Sequence, residues 1–124
     1  MVVGLGIDVC SVTRMQRALE RFGERFWERI LTPAEREELG KRGDRAVALA
    51  GRFAAKEAAS KALGAPKDVW WQDVEILRGN SGVPTLYFSG PALPHLEARA
   101  VQRSLVSITH DAGVAAAVVV LEGV

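Results

Sequence analysis

The chain has 124 residues, which allows one domain and a modest hydrophobic core. Sixteen lysines and arginines against fifteen aspartates and glutamates leave a formal net charge of +1, so any electrostatic argument about a partner must be local. With 48% hydrophobic and 25% charged residues the chain is not disordered, and its single cysteine, Cys10, excludes an internal disulfide or a cysteine-based zinc site.

Residues 2–9 are rich in Val, Leu and Ile with glycines at 4 and 6, and read as a buried strand ending at Asp8. Gly4-x-Gly6 lacks the third glycine and the following helix of a dinucleotide loop. From Val12 to Leu31 the pattern turns helical, with Met15, Leu19, Phe22, Phe26 and Ile30 at spacings of three and four. Thr32-Pro33-Ala34-Glu35 is a capping box with proline at the first helical position. It opens a short helix that stops near Gly40 to Gly43. Asp44 then caps a third helix running to Leu63, with Gly64 as its stop.

Val69 to Leu77 reads as a strand, Asn80-Ser81-Gly82 as a turn, and Thr85 to Ser89 as the returning strand. Pro91 opens a helix through about Arg103. Leu105 to Thr109 and Gly113 to Glu122 are strands joined by His110-Asp111-Ala112. The order β-ααα-ββ-α-ββ predicts a single α+β domain over residues 1–124 with a mostly antiparallel sheet. No stretch approaches the roughly 20 apolar residues of a membrane helix and no signal peptide is visible, so a soluble, cytoplasmic protein is expected.

On the third helix, Ala46, Ala50, Phe53 and Ala54 mark an apolar arc that also contains Glu57 and Lys61, four residues apart. This is either an exposed Glu-to-Lys pair or a carboxylate and an ammonium lining a site. Asp8 is either a turn residue or a strand-end carboxylate aimed into the same site. Asp8 and Glu57 together suit magnesium, which keeps waters and takes substrate phosphate oxygens. Arg45, Arg52, Lys56 and Lys61 would match a phosphate-rich substrate, although solvated surface charge explains each of them singly, Lys56 above all. His110 follows the hydroxyls Ser107 and Thr109 on a strand and could join a phosphate or ribose site. His95 reads as a surface residue and Cys10 as an inert small side chain.

The first helix carries Arg14, Arg17, Arg21, Arg25 and Arg29 as one stripe beside the apolar one, with Glu20, Glu24 and Glu28 on its far flank. A salt-bridged solvent face is one reading. Five arginines at this spacing also suit an acidic partner, whether an acidic protein helix or a nucleic-acid backbone.

Gly6-Ile7-Asp8 with Arg14, the block Arg52-Phe53-Ala54-Ala55-Lys56-Glu57-Ala58-Ala59-Ser60-Lys61-Ala62-Leu63-Gly64, and Ser107-Ile108-Thr109-His110 together resemble the 4′-phosphopantetheinyl transferases. Short length and motif order look like their holo-acyl-carrier-protein synthase branch, and the resemblance covers essentially the whole chain. It implies transfer of phosphopantetheine from coenzyme A to a serine of apo-acyl carrier protein, in fatty acid biosynthesis, leaving adenosine 3′,5′-bisphosphate. It further implies magnesium held by Asp8 and Glu57, with Lys61 as a third catalytic group. Coenzyme A contacts are expected from Arg45, Arg52, Lys61, Ser107 and His110. The acidic carrier is expected on Arg14, Arg21 and Arg25 with Met15 and Phe22 as apolar anchors. A homotrimer with active sites between subunits follows from the same resemblance, with no nucleic-acid or membrane partner. Ala65-Pro66 departs from the family's usual Thr-Gly, and Thr109 replaces a serine while keeping a hydroxyl. The competing reading is a non-catalytic module that binds an acidic protein or RNA through the arginine stripe and has no use for Asp8 or Glu57.

Overall fold

The computed structural model describes residues 1–40 and 42–124. Strand β1 (Val2–Ser11) leads into helices α1 (Val12–Phe22), α2 (Glu24–Ile30), α3 (Pro33–Leu39) and α4 (Arg45–Ala62). A hairpin of β2 (Val74–Leu77) and β3 (Thr85–Phe88), helix α5 (Ala92–Ala98), and strands β4 (Val101–Asp111) and β5 (Val114–Gly123) complete the chain. The expected α+β order is present, but the antiparallel strands form two sheets: β1-β5-β4, and the separate pair β2-β3.

Helix α4 is the spine. Its alanines at 50, 54, 55, 58 and 59 are fully buried, and small side chains let it lie directly on β1 and β5. The glycines of β1 allow the same approach from the other side. A Cβ at Gly6 would overlap the carbonyl oxygen of Ala58, and one at Gly4 would meet that of Ala62. Helix and strand are therefore in backbone contact, which fixes Asp8 relative to the residues one turn either side of Ala58.

Four expectations change. The strand β1 continues past Asp8 to Ser11 and is buried on one face only: Leu5, Ile7 and Val9 are 64%, 63% and 59% exposed, while Gly6 and Cys10 face α4. The first helix breaks at Gly23, whose φ of 64° carries the chain out of the helical region at no steric cost. Helix α5 ends at Ala98 rather than near Arg103, and β4 begins at Val101. Asp44 precedes α4, but its carboxylate makes no cap; it is forked by Arg42 at 2.6 and 2.8 Å. The capping box of α3 forms as expected, with Glu35 Oε1 accepting from Thr32 N and Thr32 Oγ1 accepting from Glu35 N.

Glu35 does more than cap. It is fully buried, and its Oε1 also takes a hydrogen bond from Lys56 Nζ at 2.6 Å, while Oε2 accepts from Ile76 N. Lys56 donates further to the carbonyls of Trp71 and Val74. The side chain expected at the surface is thus the buried pin that ties α4 to α3 and to the segment entering β2. Burial pushes the Lys56 ammonium below its ordinary value, against the opposing pull of Glu35.

A candidate active site on the α4–β1 seam

Because β1 and α4 touch through Gly6 and Ala58, Asp8 meets the last turns of α4. Lys61 Nζ donates to Asp8 Oδ1 and to the carbonyl of Ile7, both at 3.0 Å. Glu57, one turn earlier, is half-buried and does not pair with Lys61; its Oε1 accepts from the indole Nε1 of Trp71 at 2.8 Å. So Glu57 and Lys61 are neither a simple surface pair nor bonded to each other. Each is held by a different element, Lys61 by β1 and Glu57 by Trp71. Cys10 is buried against α4, and that burial raises its thiol above the ordinary value, which keeps it protonated and inert.

The donor set fits a magnesium ion. Asp8 and Glu57 are hard oxygen ligands, each with one oxygen engaged by a protein donor and the other open. No third histidine, cysteine or carboxylate joins them among the described residues, so the protein offers too few ligands for a closed cage. Two carboxylates with the remaining positions left to water and phosphate are what magnesium takes.

A second basic cluster lies on another face of α4. Arg42, Arg52, Arg78 and His110 border a cavity of 320 Å³ floored by Ala48 and Gly51. Arg52 is buried, giving Nε to the carbonyl of Ile76 and a guanidinium nitrogen to Glu38, so its charge is fixed in place rather than mobile. At about 100° per residue, Arg52 and Glu57 diverge by about 140° around α4, so a single chain does not converge them on one small ligand. Ser107 and His110 are separated in the same way. In β4, Ser107 and Thr109 stand on the exposed sheet face while Ile108 and His110 face α4. Arg45 is in neither cluster: it forks Glu24 and stacks on Trp27 at 4.2 Å.

Three arginines of the stripe, Arg21, Arg25 and Arg29, border a groove that spans the break at Gly23, and the expected contact Arg14 is not among its lining residues. Arg21, Phe22, Arg25, Phe26 and Arg29 line it, with Trp71 as its inner wall. Among the described residues the arginines do not pair with Glu20, Glu24 or Glu28. Arg21 stacks on Phe22, Arg29 on Trp71, and Glu24 is taken by Arg45. Phe22 is exposed as an anchor should be, but Met15 is 2% exposed and belongs to the core, because it points from α1 toward the sheet and α4. Met15 cannot touch a partner. Sequence reasoning gave no role to Arg42, Arg78 or Trp71. Arg78 and Arg42 lie in loops without periodicity, and Trp71 carries no spacing signal toward Glu57.

Residues 4–119 match the family described as the 4′-phosphopantetheinyl transferase superfamily. A holo-[acyl-carrier-protein] synthase of Myxococcus xanthus is 50% identical over 120 residues, covering 96% of this chain and 94% of its own. The crystal structure of holo-[acyl-carrier-protein] synthase from Neisseria meningitidis superposes with a TM-score of 0.87 at 36% identity, covering 98% and 99% of the two chains. That of Helicobacter pylori, in complex with coenzyme A, gives 0.82 at 34% identity over 95% and 99%.

Proposed function

This chain belongs to the 4′-phosphopantetheinyl transferase superfamily, and from that premise we propose that it moves 4′-phosphopantetheine from coenzyme A to a serine hydroxyl of an acyl carrier protein. The observation that carries the reading is the seam between β1 and α4, where Lys61 of α4 reaches Asp8 of β1 and Glu57, one turn earlier on α4, is held by Trp71. A module that merely binds an acidic partner through its arginines has no need of that cluster. Incubating apo-carrier protein with coenzyme A and magnesium should add one phosphopantetheine mass to one serine; no mass gain on any carrier would overturn the reading.

Asp8 and Glu57 are the residues that would hold magnesium. When bound there, the ion supplies neutralisation of the diphosphate charge as the bond to the leaving phosphate breaks. The chain's own groups do the rest. Lys61, 52% exposed at its side chain, has a third donor beyond the two given to Asp8 and Ile7, and can hold a phosphate oxygen. The serine must give up a proton. Asp8 is paired with Lys61, whereas Glu57 accepts a single hydrogen bond from the Trp71 indole, and Glu57 is the group assigned to receive the proton, directly or through a water. The cavity bordered by Glu57, Lys67, Val69, Trp70 and Trp71 beside it is where the phosphopantetheine arm would lie. The basic cavity of Arg42, Arg52, Arg78 and His110 is suited to the nucleotide phosphates.

A chain that holds these two half-sites on different faces of one helix needs a second copy to complete either. The uncovered face of β1-β5-β4 supplies the means. Leu5, Ile7 and Val9, their partners Val120, Val118 and Ala116, and Leu105, Ser107 and Thr109 make one continuous, largely apolar surface. Joining copies there would bring one subunit's β4 toward another's α4–β1 seam, in a closed trimer. Light scattering should give the mass of three chains. Ile7→Asp, which forces a charge into the joint without disturbing the buried face, should give one chain and little activity. An active single chain would sink the shared site.

The acidic carrier protein docks in the arginine groove. Arg21→Glu with Arg25→Glu should raise KM for carrier protein by at least about tenfold and leave KM for coenzyme A within twofold, because charge reversal there repels the carrier alone. Salt should weaken the wild-type reaction at low carrier concentration in the same direction. An unchanged KM for carrier protein would move docking elsewhere.

A further inference from the structure

Trp71 lies between the two halves of this machinery. Its ring walls both the carrier groove, with Arg25, Phe26 and Arg29, and the cavity that contains Glu57. Its indole N–H is the hydrogen bond on Glu57 Oε1, at 2.8 Å. The residue is held by four contacts. Its carbonyl accepts from the buried Lys56, its ring packs on Phe53 at 5.9 Å and edge-on against Trp70, and the Arg29 guanidinium lies 5.8 Å from its centroid. Phe53 is one helical turn before Glu57, so ring and carboxylate are fixed by the same stretch of α4. A donor this constrained, on a carboxylate whose protein hydrogen bond comes from it, sets where that carboxylate points.

We propose that Trp71 is a positioning residue for the transfer reaction, its indole N–H fixing the Glu57 carboxylate with one oxygen kept free for metal and substrate. The proposal rests on the transferase reading given above. A phenylalanine here would fill the same space and leave Glu57 unanchored. Groups that orient a ligating carboxylate or histidine typically cost about 10- to 100-fold in metal affinity or activity when removed.

Two variants remove the N–H while keeping the ring: Trp71→Phe, and incorporation of β-(3-benzothienyl)alanine at position 71, which replaces the N–H by sulfur at nearly constant shape and so guards against a folding defect in the first. The readouts are kcat and both KM values for transfer, and Mn2+ affinity of the protein alone by electron paramagnetic resonance. Both variants should lose about tenfold in kcat and in Mn2+ affinity, with KM for coenzyme A and for carrier protein within twofold. Tyr87→Phe, at an exposed aromatic on β3 that borders neither cavity nor groove, should match wild type. Variants that bind Mn2+ and turn over like wild type would overturn the role of Trp71 and leave the transferase reading standing. A wild-type protein that leaves every apo-carrier protein unmodified would overturn that reading itself, and this proposal with it.

Discussion

Alanine in place of Glu57 or of Asp8 is expected to reduce phosphopantetheine transfer by at least about 100-fold, because charge stabilisation at the transferring phosphoryl group is worth several kcal/mol and each 1.4 kcal/mol is a factor of about ten. The fold should be untouched. Glu57 is half-buried with one hydrogen bond, so its loss leaves one indole N–H without an acceptor, about 1 kcal/mol. Asp8→Ala frees a lysine that is already half in solvent, where a lost ion pair is worth little. The two mutants should therefore unfold within a few degrees of wild type while failing in turnover. Steady-state kinetics at limiting magnesium, beside a thermal melt, is the check. Near-normal turnover by either folded mutant would remove that carboxylate from the reaction and refute the paired metal site.

The opposite pattern is expected for Lys56, the neighbour of Glu57 in sequence, and for its buried partner Glu35. Glu35→Ala should destabilise the protein by about 3–5 kcal/mol, a large share of the 5–15 kcal/mol available to a typical domain. The reason is the fully buried ammonium of Lys56, which would keep two carbonyl partners and lose the carboxylate it is paired with. Lys56→Met alone strands Glu35 in the same manner. The double replacement Glu35→Gln, Lys56→Met removes both charges together and should recover much of the loss. Urea denaturation of the three variants separates these cases. If Glu35→Ala kept the wild-type midpoint, the pair would have no part in joining α3, α4 and the start of β2. Lys56 and Glu57 are adjacent in sequence, yet one is expected to act on stability and the other on turnover, because α4 turns by about 100° between them.

The sequence by itself determined much of this. Alternation and helical spacing located the strands and helices, since period-2 and period-3.6 patterns follow directly from backbone geometry. Thr32 to Glu35 specified a capping box that forms as written, because capping is a local interaction of four residues. Asp8, Glu57 and Lys61 were legible as charged residues at the end of apolar runs, and the block from Arg52 to Gly64 pointed to their family. What the one-dimensional pattern misjudged were the partners. It put Lys56 at the surface and Met15 in the docking face, ran one helix through Gly23, and buried both faces of β1.

Only the tertiary structure decided those points, and the reason is the same for each. Whether a side chain is inside depends on which element covers it, and a helix as rich in alanine as α4 gives little indication of its covered faces. The alanines and the glycines of β1 matter as a pair: backbone contact at Gly6 and Ala58 is what brings Asp8 and Lys61, 53 positions apart, within 3.0 Å. The bond from Trp71 to Glu57 needs a single turn from a loop laid against Phe53. Such pairings are set by packing between distant segments, so no local period in the sequence announces them.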